Sequence, residues 1–250
     1  MKNNIKLLAL IGILVLSQVI SPDLAAQAVN TLTPNEKEQG WKLLFDGVST
    51  KGWHNFNKST IGTSWIVEDG VLALNAVPQD NGKLLAKDGG DIVTEEEYGD
   101  FELVFDWKIS PCGNSGVMFL VNEDEKYTFP WQTGPEMQIL DNTCHPDAKI
   151  IKHRAGDLYD IQSSSPETVK PAGEWNTSGI QLKEGHLTFH LNGVKVLETD
   201  LWTEEWPTIL SQTKWKDHED FTKFKRGKIA LQDHRDARVE FRNMKIRRLD

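Results

Sequence analysis

The fold of this chain is decided by residues 101–109, which read FELVFDWKI. Large apolar side chains occupy every second position, and the positions between them include Glu102, Asp106 and Lys108. Successive side chains of a β-strand point to opposite faces, so this alternation predicts a strand with one buried face and one face in water.

Hairpins and buried strands continue this pattern on both sides. Residues 186–197 read HLTFHLNGVKVL, and the central Asn-Gly pair is typical of a type I′ hairpin turn. Residues 65–74 predict a second hairpin around Glu68-Asp69-Gly70. The apolar run at residues 116–121 predicts a strand that is covered on both faces.

The last predicted strand, residues 238–247, changes its apolar phase between Phe241 and Met244, which a bulge near Asn243 would explain. One short helix is predicted at residues 33–36, where a capping-box spacing meets a proline at the first helical position. Many short strands and little helix predict an all-β fold, a two-sheet antiparallel sandwich of the jelly-roll kind.

The first 28 residues have the features of an export signal. Lys2 and Lys6 precede an apolar run at residues 7–16, and a small-x-small site at residues 26–28 predicts cleavage before Val29. The run is shorter than the roughly 20 residues that span a bilayer, so no stable membrane anchor is expected. We therefore predict a periplasmic or secreted protein with a single domain at residues 29–250.

Charge and cysteine content narrow the function further. The net charge of −9 argues against nucleic acid or an anionic membrane as a partner. In an oxidising compartment Cys112 and Cys144 could form a disulfide, although two free thiols fit the spacing equally well.

Residues 134–141, GPEMQILD, give the clearest indication of function. In a strand, Glu136 and Gln138 would share one face, and Asp141 would lie on the other face unless a bulge or the strand end turns it back. Carboxylates beside an amide suit the binding of sugar hydroxyls and proton transfer. The alternative is the polar face of an ordinary edge strand.

Other polar and aromatic residues could meet them in a groove. Indole faces stack on sugars, which favours a carbohydrate partner for a chain with nine tryptophans. The histidines lack the spacing of a zinc site, whereas calcium remains compatible with the acidic loops. The candidates beyond residues 134–141 are Asn114, Trp131, His153, Tyr159, Gln232 and His234.

An ordered set of short motifs resembles one known family. The pieces are LFDG at 44–47, WIVEDG at 65–70, YGDFEL at 98–103, NSGV at 114–117, GPEMQ at 134–138, HPD at 145–147, GDLYD at 156–160, LNG at 191–193, LQDH at 231–234 and FRN at 241–243. In this order they resemble the 3-keto-disaccharide (3-keto-glycoside) hydrolases, first designated DUF1080.

The resemblance implies a jelly roll of the concanavalin or glucanase kind that acts on sugars already oxidised at C3. The ketone acidifies the C2 proton, so a base can form an enolate, an acid can help to expel the C1 aglycone, and water can add to the double bond. A separate sugar 3-oxidoreductase would supply this substrate, and the chain itself would require no cofactor.

The roles that follow are Glu136 as base or acid with His153 or His234 as its partner. Asn114, Gln138, Asp141, Tyr159, Gln232 and Trp131 would hold the substrate, and a divalent ion such as calcium could assist the enolate. Two alternatives stay open. Residues 136–141 look like a degenerate form of the E-x-D-x-x-E strand of retaining jelly-roll glycosidases, and the tryptophans would also suit a non-catalytic carbohydrate-binding module.

Overall fold

The computed structural model describes residues 28–79, 84–235 and 237–250. The predicted export signal, residues 1–28, lies outside the described residues except for Ala28. Within the described ranges, no helix has both the length and the apolar character needed to cross a membrane.

Fifteen strands and two short α-helices make up the regular structure of the described residues. The helices are α1 (Pro34–Glu38) and α2 (Trp206–Ser211). The strands are β1 (Lys42–Leu43), β2 (Trp53–Asn55), β3 (Trp65–Glu68), β4 (Val71–Leu74), β5 (Val77–Pro78), β6 (Leu84–Leu85), β7 (Ile92–Thr94), β8 (Phe101–Ile109), β9 (Asn114–Val121), β10 (Glu136–Leu140), β11 (Asn176–Lys183), β12 (His186–Leu191), β13 (Val194–Asp200), β14 (Lys228–Leu231) and β15 (Val239–Arg248).

Two antiparallel sheets form the sandwich, as the sequence predicted. One runs β13-β12-β11-β8-β15-β4-β3, with β1 paired to β15, and the other runs β10-β9-β14-β7-β2. Strands β5 and β6 form a separate hairpin. Large side chains fill the space between the two sheets, among them Trp107, Phe105, Phe119, Phe189 and Phe241.

The local patterns are confirmed one by one. Side chains of β8 alternate between buried and partly exposed along its whole length. The turn residues Asn192 and Gly193 have φ angles of 53° and 81°, as a type I′ turn requires. The register of β15 shifts between Arg242 and Lys245, and Asn243 at φ 52° occupies the predicted bulge.

The five-stranded sheet carries Glu136, the main candidate site residue. Glu136 on β10 lies opposite Met118 on β9, Met118 opposite Ala230 on β14, and Ala230 opposite Val93 on β7. Met118, Ala230 and Val93 pack together in a small cluster that is separate from the core between the sheets. These four residues therefore define an outer face of the five-stranded sheet, turned away from the eight-stranded sheet.

The cysteine question is also settled by the structure. Cys112 precedes β9, Cys144 follows β10, and the two form a disulfide. Because β9 and β10 are paired, the bond joins the neighbouring ends of two strands beside the outer face.

Candidate active site

A pocket of about 380 Å³ opens on the outer face of the five-stranded sheet, beside its edge strand β10 and the neighbouring strand β9. Seven of the nine residues predicted from the sequence line it. Its lining comprises Asn114, Trp131, Glu136, Gln138, Tyr159, Lys214, Trp215, His218, Gln232 and His234.

Glu136 lies at the floor of the pocket and is only 4% exposed. A Cβ atom at position 116, on the neighbouring strand, would overlap the Glu136 carboxyl group. The glycine at this position therefore makes room for the carboxyl group, which explains why the NSGV motif has glycine as its third residue.

The carboxyl group of Glu136 is held in an unusual protonation state. Burial raises its pKa from 4.5 to about 8, the negative charge of Asp91 adds to the rise, and the positive charge of Lys214 opposes it. A carboxyl group with such a pKa is a far stronger base than an exposed glutamate and exchanges its proton near neutral pH.

Amide side chains surround Glu136 on the same face. The Gln138 amide is oriented so that its nitrogen faces hydrogen-bond acceptors. This nitrogen donates to Ser115 O at 3.0 Å and to Glu136 Oε1 at 3.1 Å. The Asn114 side chain lies 3.2 Å from the same amide. These contacts fix the carboxyl group and leave it directed into the pocket.

Lys214 adds a cation to the lining of the pocket. Its Nζ lies 3.9 Å from the centroid of the Tyr159 ring and 4.4 Å from that of Trp215. Loss of hydration lowers the pKa of Lys214, while the negative charge of Glu136 acts in the opposite direction. The lysine is thus a positive charge near the place where a substrate would develop negative charge.

Aromatic rings form the remaining wall. Trp131 lies 5.9 Å from Trp215 and 5.5 Å from His218, measured between ring centroids. Trp215 is itself fixed, because it stacks on Phe221 at 4.3 Å. Such a wall suits the apolar face of a sugar ring.

Two predicted site residues lie outside the pocket lining. His153 Nε2 contacts Asp160 Oδ1 at 2.8 Å, and its ring lies 4.3 Å from that of Tyr159. Asp160 Oδ2 also accepts a hydrogen bond of 2.7 Å from the Lys214 backbone. His153 therefore packs against Tyr159 and, through Asp160, holds the backbone of Lys214, and both of these residues line the pocket.

The other is Asp141, which directly follows β10. Its Oδ2 accepts from the Cys112 backbone at 2.8 Å, and its Oδ1 accepts from the Thr143 hydroxyl at 2.6 Å. Burial opposes ionisation here, but these hydrogen bonds prevail and the pKa of Asp141 is lowered. The carboxylate thus holds the turn beside the disulfide.

The same turn contains a group of three metal-ligand residue types. Ligand atoms of Cys112, Asp141 and Cys144 lie within 4.8 Å of one another. Both sulfurs are engaged in the disulfide, and calcium prefers six to eight oxygen ligands, so the group does not support the calcium ion considered from the sequence.

Lys214 and His218 were not predicted as site residues. They belong to the segment between β13 and β14, which has no strand pattern. Its tryptophans Trp202, Trp206 and Trp215 are candidates for sugar stacking by residue type, and of these Trp215 lines the pocket. Residues 214–218 read KWKDH, and this mixture of basic and aromatic side chains was the local indication of a binding segment.

Comparisons with known proteins show the family and the fold of the chain. A family model described as "3-keto-alpha-glucoside-1,2-lyase-like domain" matches residues 40–247. A 3-keto-disaccharide hydrolase of Bacteroides thetaiotaomicron is 33% identical, over 92% of this chain and 86% of that protein. A crystal structure from Parabacteroides distasonis, assigned provisionally to the glycosyl hydrolases, is 34% identical with a TM-score of 0.78, over 89% of this chain and 100% of that one. A Bacillus subtilis protein with a galectin-like fold, 11% identical with a TM-score of 0.50 over 89% and 95%, shares the fold alone.

Proposed function

Because the chain belongs to the 3-keto-disaccharide hydrolase family, we propose that it cleaves glycosides whose C3 carries a ketone, by elimination followed by hydration. The observation that carries the proposal is the buried carboxyl group of Glu136, with a pKa of about 8, at the floor of a sugar-sized pocket. Membership of the family makes the chain a carbohydrate-active enzyme, and the substrate and mechanism are the proposal.

The first step is removal of the C2 proton by the Glu136 carboxylate. The electrons of the C2–H bond form a C2–C3 double bond, and the carbonyl electrons move onto the oxygen at C3. Lys214, which lines the same pocket, would stabilise this oxyanion, and Gln138 would keep the carboxylate oriented. Trp131 and Trp215 hold the ring by stacking.

The second step expels the aglycone. The oxyanion re-forms the C3 ketone, a C1–C2 double bond forms, and the C1–O bond breaks as its oxygen takes a proton from an acid. Water then adds at C1, and Glu136 returns its proton to C2. The products are a 3-keto sugar and a free alcohol, with one water consumed.

The alternatives from the sequence find less support. A retaining glycosidase needs two carboxyl groups about 5 Å apart across the bond. The E-x-D-x-x-E pattern would supply Glu136 and Asp141, but Asp141 holds the turn beside the disulfide and does not line the pocket. A carbohydrate-binding module would gain nothing from a buried group that titrates near neutral pH.

We further propose that the protein acts in the periplasm or outside the cell. The N-terminal charge pattern and apolar run support export. The substrate would come from a separate sugar 3-oxidoreductase, because a ketone at C3 must be introduced by oxidation.

Turnover of a 3-keto-glucoside beside its unoxidised parent, followed by mass spectrometry, tests the proposal directly. We expect cleavage of the keto sugar alone, because only the ketone acidifies the C2 proton. Cleavage of the parent would restore the retaining glycosidase, and cleavage of neither would favour the binding module.

The pH dependence of this turnover should report Glu136. A base must be ionised, so kcat/KM for a keto sugar whose leaving group departs without a proton, such as 4-nitrophenyl 3-keto-glucoside, should rise with pH through an apparent pKa of about 8. Initial rates between about pH 5.5 and 9.5, corrected for uncatalysed elimination, would show the rise. A kcat/KM that falls through the same range would assign Glu136 the role of acid instead.

A further inference from the structure

A second cavity of about 350 Å³ adjoins the pocket on the outer face. The two share Trp131, Gln232 and His234 as a common border. The lining of the second cavity adds Asn55, Phe56, Lys58, Gly90, Asp91, Thr128, Phe129, Pro130, Asp233 and Arg235. Two adjoining cavities of similar volume suit a substrate that has a sugar on one side of the scissile bond and a leaving group on the other.

The second cavity has an aromatic platform of its own. Phe129 stacks on Trp131 with ring centroids 5.4 Å apart and planes inclined by 12°, yet 43% of Phe129 is exposed. Its backbone is fixed by a hydrogen bond of 2.9 Å to Gln132 Oε1. A rigid exposed ring continuing the tryptophan wall suits stacking on a second ring of the substrate.

A polar atom at the border has no hydrogen-bond partner among the described residues. Gln232 Oε1 is buried and accepts no hydrogen bond there, while the Gln232 backbone N–H is fixed by Gly116 O at 3.0 Å. A buried acceptor without a donor costs free energy, which a substrate hydroxyl at this border would recover.

Asp91 brings a carboxyl group to the second cavity from the same sheet face as Glu136. It lies two residues before Val93, so in extended backbone its side chain shares the outer face. Its Oδ1 accepts from the Asp233 backbone at 2.8 Å, and its own backbone oxygen accepts from Phe56 N–H at 3.0 Å. Asp91 is therefore anchored through its side chain and its backbone, and it lines the second cavity.

Asp91 exchanges its proton near neutral pH. Burial raises its pKa to about 7; the Asp233 backbone hydrogen bond and the charges of His234 and Arg235 oppose the rise, and the Asp233 charge adds to it. Glu136 and Asp91 line two cavities that share a border, so one substrate spanning that border would meet both carboxyl groups. The negative charge of Asp91 also contributes to the raised pKa of Glu136.

We propose that the second cavity holds the leaving group and that Asp91 is the acid that protonates the departing glycosidic oxygen. The assignment rests on the proposed function. As the C1–O bond breaks, its electron pair takes the Asp91 proton and the alcohol departs. The Asp91 carboxylate then removes a proton from water as that water adds to C1, which restores Asp91 for the next cycle.

His234 is the rival proton donor at the border. It is exposed and its ring lies 5.8 Å from that of His145, whereas Asp91 is partly buried and accepts from the Asp233 backbone. A partly buried acid is the better candidate, because a donor shielded from water interacts more strongly with the charge that develops on the departing oxygen.

The test uses the dependence of the rate on the leaving group. Methyl 3-keto-glucoside releases a poor leaving group that needs a proton, whereas 4-nitrophenyl 3-keto-glucoside releases a stable phenolate. Asp91→Asn should lower kcat/KM for the methyl glycoside by about 10²–10³-fold and for the nitrophenyl glycoside by less than about tenfold. Asparagine Oδ1 can still accept from Asp233, and the ratio of the two substrates in one preparation does not depend on the fraction folded.

His234→Gln is the matched comparison, and it should lower kcat/KM by the same factor for both substrates. An equal loss for both substrates in Asp91→Asn, or no loss, would overturn the assignment, as would leaving-group dependence confined to His234→Gln. Failure of the wild-type protein to cleave either keto sugar would instead refute the proposed function.

Discussion

Replacing Glu136 by glutamine should lower kcat/KM for a 3-keto-glucoside by about 10³–10⁴-fold. The amide has the shape of the protonated carboxyl group but cannot accept the C2 proton. Because Gly116 already makes room for this side chain, the substitution needs no rearrangement of β9. The measurement is initial rate against substrate concentration, with product identified by mass spectrometry.

The controls separate chemistry from folding. Glutamine removes an ionisable group from a buried position, so the melting temperature of Glu136→Gln should not fall below that of the wild type. Glu240→Gln replaces a partly buried carboxylate on β15, in the other sheet, where Lys108 and Arg238 pair with it, and its activity should stay within about threefold of the wild type. Activity retained in Glu136→Gln would remove this residue from the reaction.

Much of the fold could be predicted because its signals are local. The alternation at residues 101–109, the Asn-Gly turn and the phase change near Asn243 each involve residues within one strand or one hairpin. Their physical causes are the two-residue period of a strand and the few φ angles that each turn allows.

A common face could be derived from spacing only for Glu136 and Gln138 on β10, and the loop residues Tyr159, Gln232 and His234 were predicted from residue type and motif alone. Lys214 and His218 reach the pocket from the segment between β13 and β14, and Asp91 reaches the adjoining cavity through strand order. Strand β14 lies between β9 and β7, so residues far apart in the sequence meet on one face. No local pattern encodes that order, since it depends on long-range pairing.

The disulfide illustrates the same limit. Sequence spacing allowed both a bond and two free thiols, because bonding depends on the distance between the two backbones. Antiparallel pairing of β9 with β10 brings Cys112 and Cys144 together. Asp141, which the sequence placed near the sugar, lies in this turn because the strand ends at Leu140.

Replacing Lys214 by methionine should lower kcat by about 10²–10³-fold, the loss typical of removing one oxyanion-stabilising group. Methionine keeps a flexible chain against Tyr159 and Trp215 but carries no charge. The same change should move the pH profile. Because the Lys214 charge lowers the pKa of Glu136, its removal should shift the rising limb to a pH above about 8.

Two variants make the Lys214 result specific. Lys214→Arg keeps the charge, so its rising limb should stay near the wild-type position even if the longer side chain reduces kcat. Lys216→Met changes an exposed lysine that does not line the pocket, and both kcat and the profile should remain unchanged. A loss of kcat in Lys214→Met without a shift would show that the cation acts on the substrate alone. A shift without a loss would show that it acts only on Glu136, and only both together establish the charge pair that the elimination requires.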